Sequence, residues 1–158
     1  FNQASDVIKA EGIATGFGYH NHNMEFNRVA TKEQPEKVKG NPLAAFMKVG
    51  DQIYDLMLKD TDPSKVYFEM DVYWAVMGQQ DPIEWLKKYP NRIKVLHIKD
   101  RAILGESGMM NFENIFRQAY ANGIKDYFVE LEGMPDGRSQ FEGVKGCVDY
   151  LLKAPFVK

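Results

Sequence analysis

Four short β-prone runs, each followed by a stretch with helical spacing, constrain this chain more than any other feature. The runs are residues 13–22 (IATGFGYHNH), 66–72 (VYFEMDV), 93–100 (IKVLHIKD) and 127–132 (YFVELE). Asp62-Pro63-Ser64 precedes the second run and a loop containing Gly78 follows it, while residues 34–40, polar with Pro35 and Gly40, predict a further loop. Apolar residues at helical spacing cover 1–12, 43–59, 111–122 and 141–152; Phe112, Ile115, Phe116, Ala119 and Tyr120 mark the third of these. Another helix starts at Asp81-Pro82, an N-cap followed by a proline at the first helical position, and runs to about residue 89. Strand-then-helix order repeated four times predicts an α/β chain whose parallel sheet is covered by helices. A (β/α)8 TIM barrel needs eight such units and about 250 residues. The 158 residues here therefore predict a single domain, residues 1–158, that is either an open doubly wound sheet or half a barrel lacking its N-terminal portion.

Composition narrows the function classes. With 44% hydrophobic and 27% charged residues the chain can bury a core, and a net charge of -2 with no run of Lys or Arg argues against nucleic acid as a partner. Cys147, the single cysteine, cannot form an internal disulfide, so a reducing, cytoplasmic setting is expected. No apolar stretch approaches the roughly 18 residues of a membrane span. The chain opens at Phe1 rather than Met, which fits a processed, truncated or engineered product.

In a parallel α/β fold the ligand site lies at the C-terminal ends of the strands. Those ends carry His20 and His22, then Asp71, then His97, then Glu130, so all three histidines of the chain fall at or near them. A His/Asp/Glu set without cysteine suits a divalent Mn, Mg, Co or Zn ion. Each residue has a plainer reading: Asp71 and Glu130 as helix caps or loop ion pairs, His97 as a buried histidine bonded to backbone, His20 and His22 as a pair of loop histidines. Their concurrence at four strand ends is what favours a site. Glu69 points the same way as Asp71 but one pleat deeper, which predicts a supporting role, whereas Glu132 lies nearer the mouth, within reach of a substrate. Tyr19, Tyr73, Trp74 and Phe26 are read first as packing residues, although aromatic rings at a barrel mouth also stack on sugar faces. No GxGxxG, Walker or GxSxG motif is present.

YHNHNMEF (residues 19–26), Asp71 in FEMDVYW, HIKD (97–100), GESGMMNF (105–112) and Glu130 in YFVELEG resemble, in order and spacing, the sugar phosphate isomerase/epimerase group of xylose isomerase-like TIM barrels, over nearly the whole chain. The resemblance implies the last four βα units of a barrel and one divalent metal held by side chains of successive strands. Carried over by position, Asp71, His97 and Glu130 are metal ligands; Glu25 is favoured for the remaining ligand place, with His20 as the alternative. His22 and Glu130 become the bases and Lys99 a hydrogen-bond donor to a sugar oxygen, with His20, Trp74 and Glu132 contacting substrate. The implied reaction is proton abstraction next to a carbonyl, the resulting enediolate being stabilised by the cation. Return of the proton gives isomerisation or epimerisation, and loss of a β-hydroxyl gives the dehydration of keto-sugar and inosose lyases. Phosphodiester cleavage, known on this barrel, lacks the basic groove it needs; a non-catalytic carbohydrate-binding remnant is the non-enzyme alternative. Half a barrel would leave open sheet edges, so the expected partners are a small sugar and either the missing half or a second copy.

Overall fold

The computed structural model describes residues 1–13, 16–29 and 50–158. A helix, α1 (Asn2–Ala10), precedes the first strand, β1 (Phe17–His20). A 3-10 turn (Met24–Phe26) and a two-stranded antiparallel ribbon of β2 (Arg28–Val29) and β3 (Asp51–Gln52) lead to α2 (Ile53–Asp60). Then follow β4 (Val66–Asp71), α3 (Val72–Met77), α4 (Pro82–Lys88), β5 (Ile93–Lys99), α5 (Phe112–Ala121), β6 (Asp126–Glu130) and α6 (Gln140–Lys153). Strands β1, β4, β5 and β6 form one sheet in that order, and every neighbouring pair is parallel. This is the βα repeat expected from the sequence. No helix among the described residues is long and apolar enough to cross a membrane.

Several element starts are written in local chemistry. Asp81 caps α4 through Ile83 N–H with Pro82 at the first helical position. Asn111 caps α5, and Ser139 with Glu142 forms a capping box at α6. Three expectations change. The strand predicted to reach Val72 stops at Asp71, and the loop predicted around Gly78 is preceded by α3. Although VYWAVM is rich in β-prone residues, the Asp71 side chain accepts from Trp74 N–H and starts a helix there. Of the predicted 13–22 strand, residues 17–20 are strand, residues 14–15 lie outside the described residues, and His22 falls in the loop that follows. The helix predicted over 43–59 is seen only from Ile53 onward, because Asp51 and Gln52 pair as a strand with Val29 and Arg28; residues 43–49 and the predicted 34–40 loop lie outside the described residues.

Strand alternation divides the sheet into two unlike faces. Val66, Phe68, Met70, Leu96 and Ile98 are buried on the helix-covered side, where they pack with Tyr54, Leu86, Ile115 and Phe116. The other side carries His20, Glu69, Asp71, His97, Lys99 and Glu130. Gly18 belongs to that second face because a Cβ there would fall 2.5 Å from the Tyr67 ring. One sheet therefore presents an apolar face to its helices and a charged face for chemistry.

Candidate active site

His20 ends β1, Asp71 ends β4 and His97 lies in β5 opposite Asp71, so strand register alone brings the three together. His97 Nδ1 and His20 Nε2 are 2.7 Å apart, and Asp71 Oδ2 lies 3.3 Å from His20 Nε2 and 3.7 Å from His97 Nδ1. All three ligand atoms fall within 4.8 Å of one another. Asp71 Oδ1 is spent on capping α3, whereas the buried Oδ2 has no well-directed hydrogen bond among the described residues. An unsatisfied buried carboxylate oxygen aimed between two imidazole nitrogens fits a divalent cation, and the Asp/His donor set suits Mn, Co or Zn. Close polar contact with the Asp71 carboxylate raises the pKa of His20 above the ordinary imidazole value against the opposing effect of burial, and the negative charges of Asp71, Glu69 and Glu130 add attraction.

Glu130 lies on the other side of the His97 ring, its Oε2 3.5 Å from His97 Nε2, and so stands apart from the three converging atoms. It pairs with Lys99 at 2.9 Å, and Lys99 also reaches Glu132 at 2.6 Å. Lys99 is only 3% exposed. Burial works to lower its pKa, but the two carboxylates outweigh that and raise it, while Lys99 holds Glu130 below the usual carboxylate range. The Lys99 ammonium sits over the Trp74 ring, 4.8 Å from its centroid. His22 is exposed beside this group, edge-on to His20 at 5.1 Å and 5.8 Å from Trp74 between ring centroids. His20, His22, Trp74, His97, Lys99, Glu130 and Glu132 thus form one chain of neighbours around Asp71.

Glu25 is the exception. Its carboxylate accepts from Tyr19 Oη at 2.6 Å and from His22 N–H at 2.9 Å. Tyr19 alternates with His20 along β1 and packs against Phe68 on the helix-covered side. Glu25 is thereby engaged with a side chain of the opposite sheet face, and His20, the alternative for the same ligand place, is the residue that lies in the cluster.

Three residues matter here that sequence reasoning left aside or gave a lesser part. Glu69 brings Oε1 to 3.6 Å from His97 Nδ1, as its two-residue spacing from Asp71 allows. Asp100 is buried and accepts from Arg101 N–H and Gly105 N–H, which shapes the loop after β5. Gly105 has φ +83°, a conformation that favours glycine. Asn21 is buried between β1 and β4 and bonds both backbone groups of Asp71.

No protein-family model matches the sequence. The chain is similar to two solved structures from Parabacteroides distasonis ATCC 8503, each a sugar phosphate isomerase/epimerase. One is 80% identical with a TM-score of 0.89, and the match covers 100% of this chain and 52% of that one. The other is 57% identical with a TM-score of 0.88, covering 100% of this chain and 53% of that one. Among curated proteins, an inosose dehydratase of Clostridium tetani is 46% identical over 46 residues, which is 29% of this chain and 15% of that protein. An inosose dehydratase of Geobacillus thermodenitrificans is 30% identical over 90 residues, 57% of this chain and 30% of that protein. The chain spans about half the length of the solved structures it matches, so its four βα units are about half of a (β/α)8 barrel. By sequence and by fold, the whole of this chain matches about half of a sugar phosphate isomerase/epimerase barrel.

Proposed function

We propose that the protein is a metal-dependent sugar isomerase or epimerase that moves a proton at the carbon next to a carbonyl. The observation that carries this reading is the convergence of His20 Nε2, Asp71 Oδ2 and His97 Nδ1 on one point at the end of the sheet. In this reading His20, Asp71 and His97 hold the cation, with Glu69 and Glu130 flanking His97, and His20 rather than Glu25 fills the first place. A divalent cation bound there would act as a Lewis acid on the substrate carbonyl. His22 takes and returns the proton: it is exposed at the mouth next to the cluster, and its ring carries both a donor and an acceptor nitrogen. Glu130 is less suited to that task because its pairing with Lys99 makes it a weaker base. Lys99, already compensated by Glu130 and Glu132, donates a hydrogen bond to a sugar oxygen. Trp74 offers an apolar ring for a sugar face beside it.

A second reading, a keto-sugar or inosose-type dehydratase, is supported by the names of the curated relatives. Both reactions begin with the same proton abstraction. Incubation of the protein with a panel of keto-sugars and inososes in deuterated water separates them. Deuterium uptake with retention of the oxygen count marks an isomerase or epimerase, whereas loss of one water marks a lyase. Asp71→Ala is expected to abolish both cation binding and turnover, and unchanged turnover would rule against the metal-dependent reading. His22→Ala is expected to lower kcat by a factor of about 10²–10⁴ with cation binding intact.

A further inference from the structure

We infer that Asn21 is a positioning residue, which sets the Asp71 carboxylate against the two histidines by completing the backbone ladder where β1 has ended; this inference rests on the metal-dependent reading of the same cluster. The register of β1 on β4 ends at His20 opposite Glu69. Strand β4 continues for two more residues, Met70 and Asp71, without a β1 backbone beside it. The side chain of Asn21 fills that place. Its Oδ1 accepts from Asp71 N–H at 3.1 Å and its Nδ2 donates to Asp71 C=O at 3.3 Å. The same Nδ2 is 3.4 Å from His22 C=O, which ties the loop carrying His22 to the end of β4.

The residue type follows from these contacts. One short planar amide offers the donor and the acceptor that the exposed end of a strand requires. Aspartate offers no donor and would place a second negative charge beside Asp71. Asn21 is 0% exposed, so no solvent would substitute for a bond that is lost. Asp71 is thus held at three points: N–H and C=O by Asn21, and Oδ1 by Trp74 N–H at 2.8 Å. With those fixed, the only oxygen free to face His20 and His97 is Oδ2. A buried asparagine that touches none of the converging ligand atoms thereby determines where one of them sits.

The test is Co(II) binding by the protein, followed by titration and by the visible absorption of the bound ion, compared among the native protein, Asn21→Ala and Asn122→Ala. Asn122 also bonds backbone, at Leu86 C=O, but lies at the end of α5 away from the cluster. Asn21→Ala is expected to bind Co(II) at least about tenfold more weakly, with an altered visible spectrum. Asn122→Ala is expected to lower the melting temperature while leaving affinity and spectrum native. If Asn21→Ala does not fold, Asn21→Ser, which keeps a small polar side chain but is one bond too short to reproduce both amide contacts, is expected to weaken Co(II) binding and alter the spectrum in the same direction. Native affinity and spectrum in whichever Asn21 variant folds would overturn the inference and leave the metal-dependent reading standing. Failure of the native protein to bind Co(II) would overturn both.

Discussion

The middle of the sheet and its two flanks are built to different standards. In the middle, Phe68 and Met70 of β4 and Leu96 and Ile98 of β5 are wholly buried beneath α4 and α5. At the flanks α1 buries no residue, and on β6 Phe128 is 63% and Val129 42% exposed. Helix α6 buries Gly143 and Cys147 on one side, while Phe141, Val144, Val148 and Leu152 form an exposed apolar stripe at helical spacing on the other. The contrast teaches where the fold is complete in itself and where it expects cover. We propose that the flanks are the seams on which the other half of a barrel docks, and that this chain by itself self-associates there.

The largest effect that would sharpen the contrast lies in the middle. Phe68→Ala removes a ring that packs on Tyr19 and Tyr54 and lies beneath the Arg92 guanidinium. A loss of about 3–5 kcal/mol of unfolding free energy is expected, whereas Val129→Ala at the open edge should cost under about 1 kcal/mol. Urea unfolding of the two variants measures the difference, and equal losses would break the distinction between middle and flank.

A smaller effect comes from the joint between α2 and α4. Asp55 is buried, which on its own would raise its pKa, but bonds from Lys59, Lys88 and Tyr89 more than offset this and bring it from 3.8 to about 2. Because the folded value is depressed, the stabilisation is present above pH 3.8 and is lost as pH falls from there toward 2. The shift corresponds to about 2 kcal/mol. Stability measured between neutral pH and about pH 2 should therefore fall less steeply in Asp55→Asn than in the native protein. The same acid limb in both would show that the joint contributes nothing there. Flank ion pairs such as Lys145 with Asp149 are exposed and should leave no comparable signature.

What was legible in the sequence follows the same division between local and distant causes. Strands β4 and β5, the Asp81-Pro82 start of α4 and the α5 boundaries were readable because caps and periodicity act within a few residues. Strand ends carrying His20, Asp71, His97 and Glu130 were readable because a parallel sheet puts its strand ends together. Helix α3 was not, since its residues favour strand and only the Asp71 cap turns them. The ribbon of residues 28–29 with 51–52 depends on pairing across a long separation, which no local pattern records. Glu25 was favoured as a ligand for its hard carboxylate, but the pleat that sends Tyr19 to the helix side takes Glu25 with it. Ligand chemistry can be read from residue type; reach cannot.

The smallest expected change in stability gives the most direct view of the flanks. Leu152 on α6 is 81% exposed and Phe141 is 79% exposed. Replacing both with lysine removes little packing from the chain itself, so its unfolding free energy should move by no more than about 0.5 kcal/mol per site. If the stripe is a docking seam, the same change should shift self-association strongly, because each charge would have to be buried or leave the interface unsealed. Light scattering across a concentration series reads this directly: the native chain is expected above the monomer mass and the double variant near it. A native chain that stays monomeric throughout would show that the exposed stripe is not a seam, and the difference between middle and flank would then be one of packing alone.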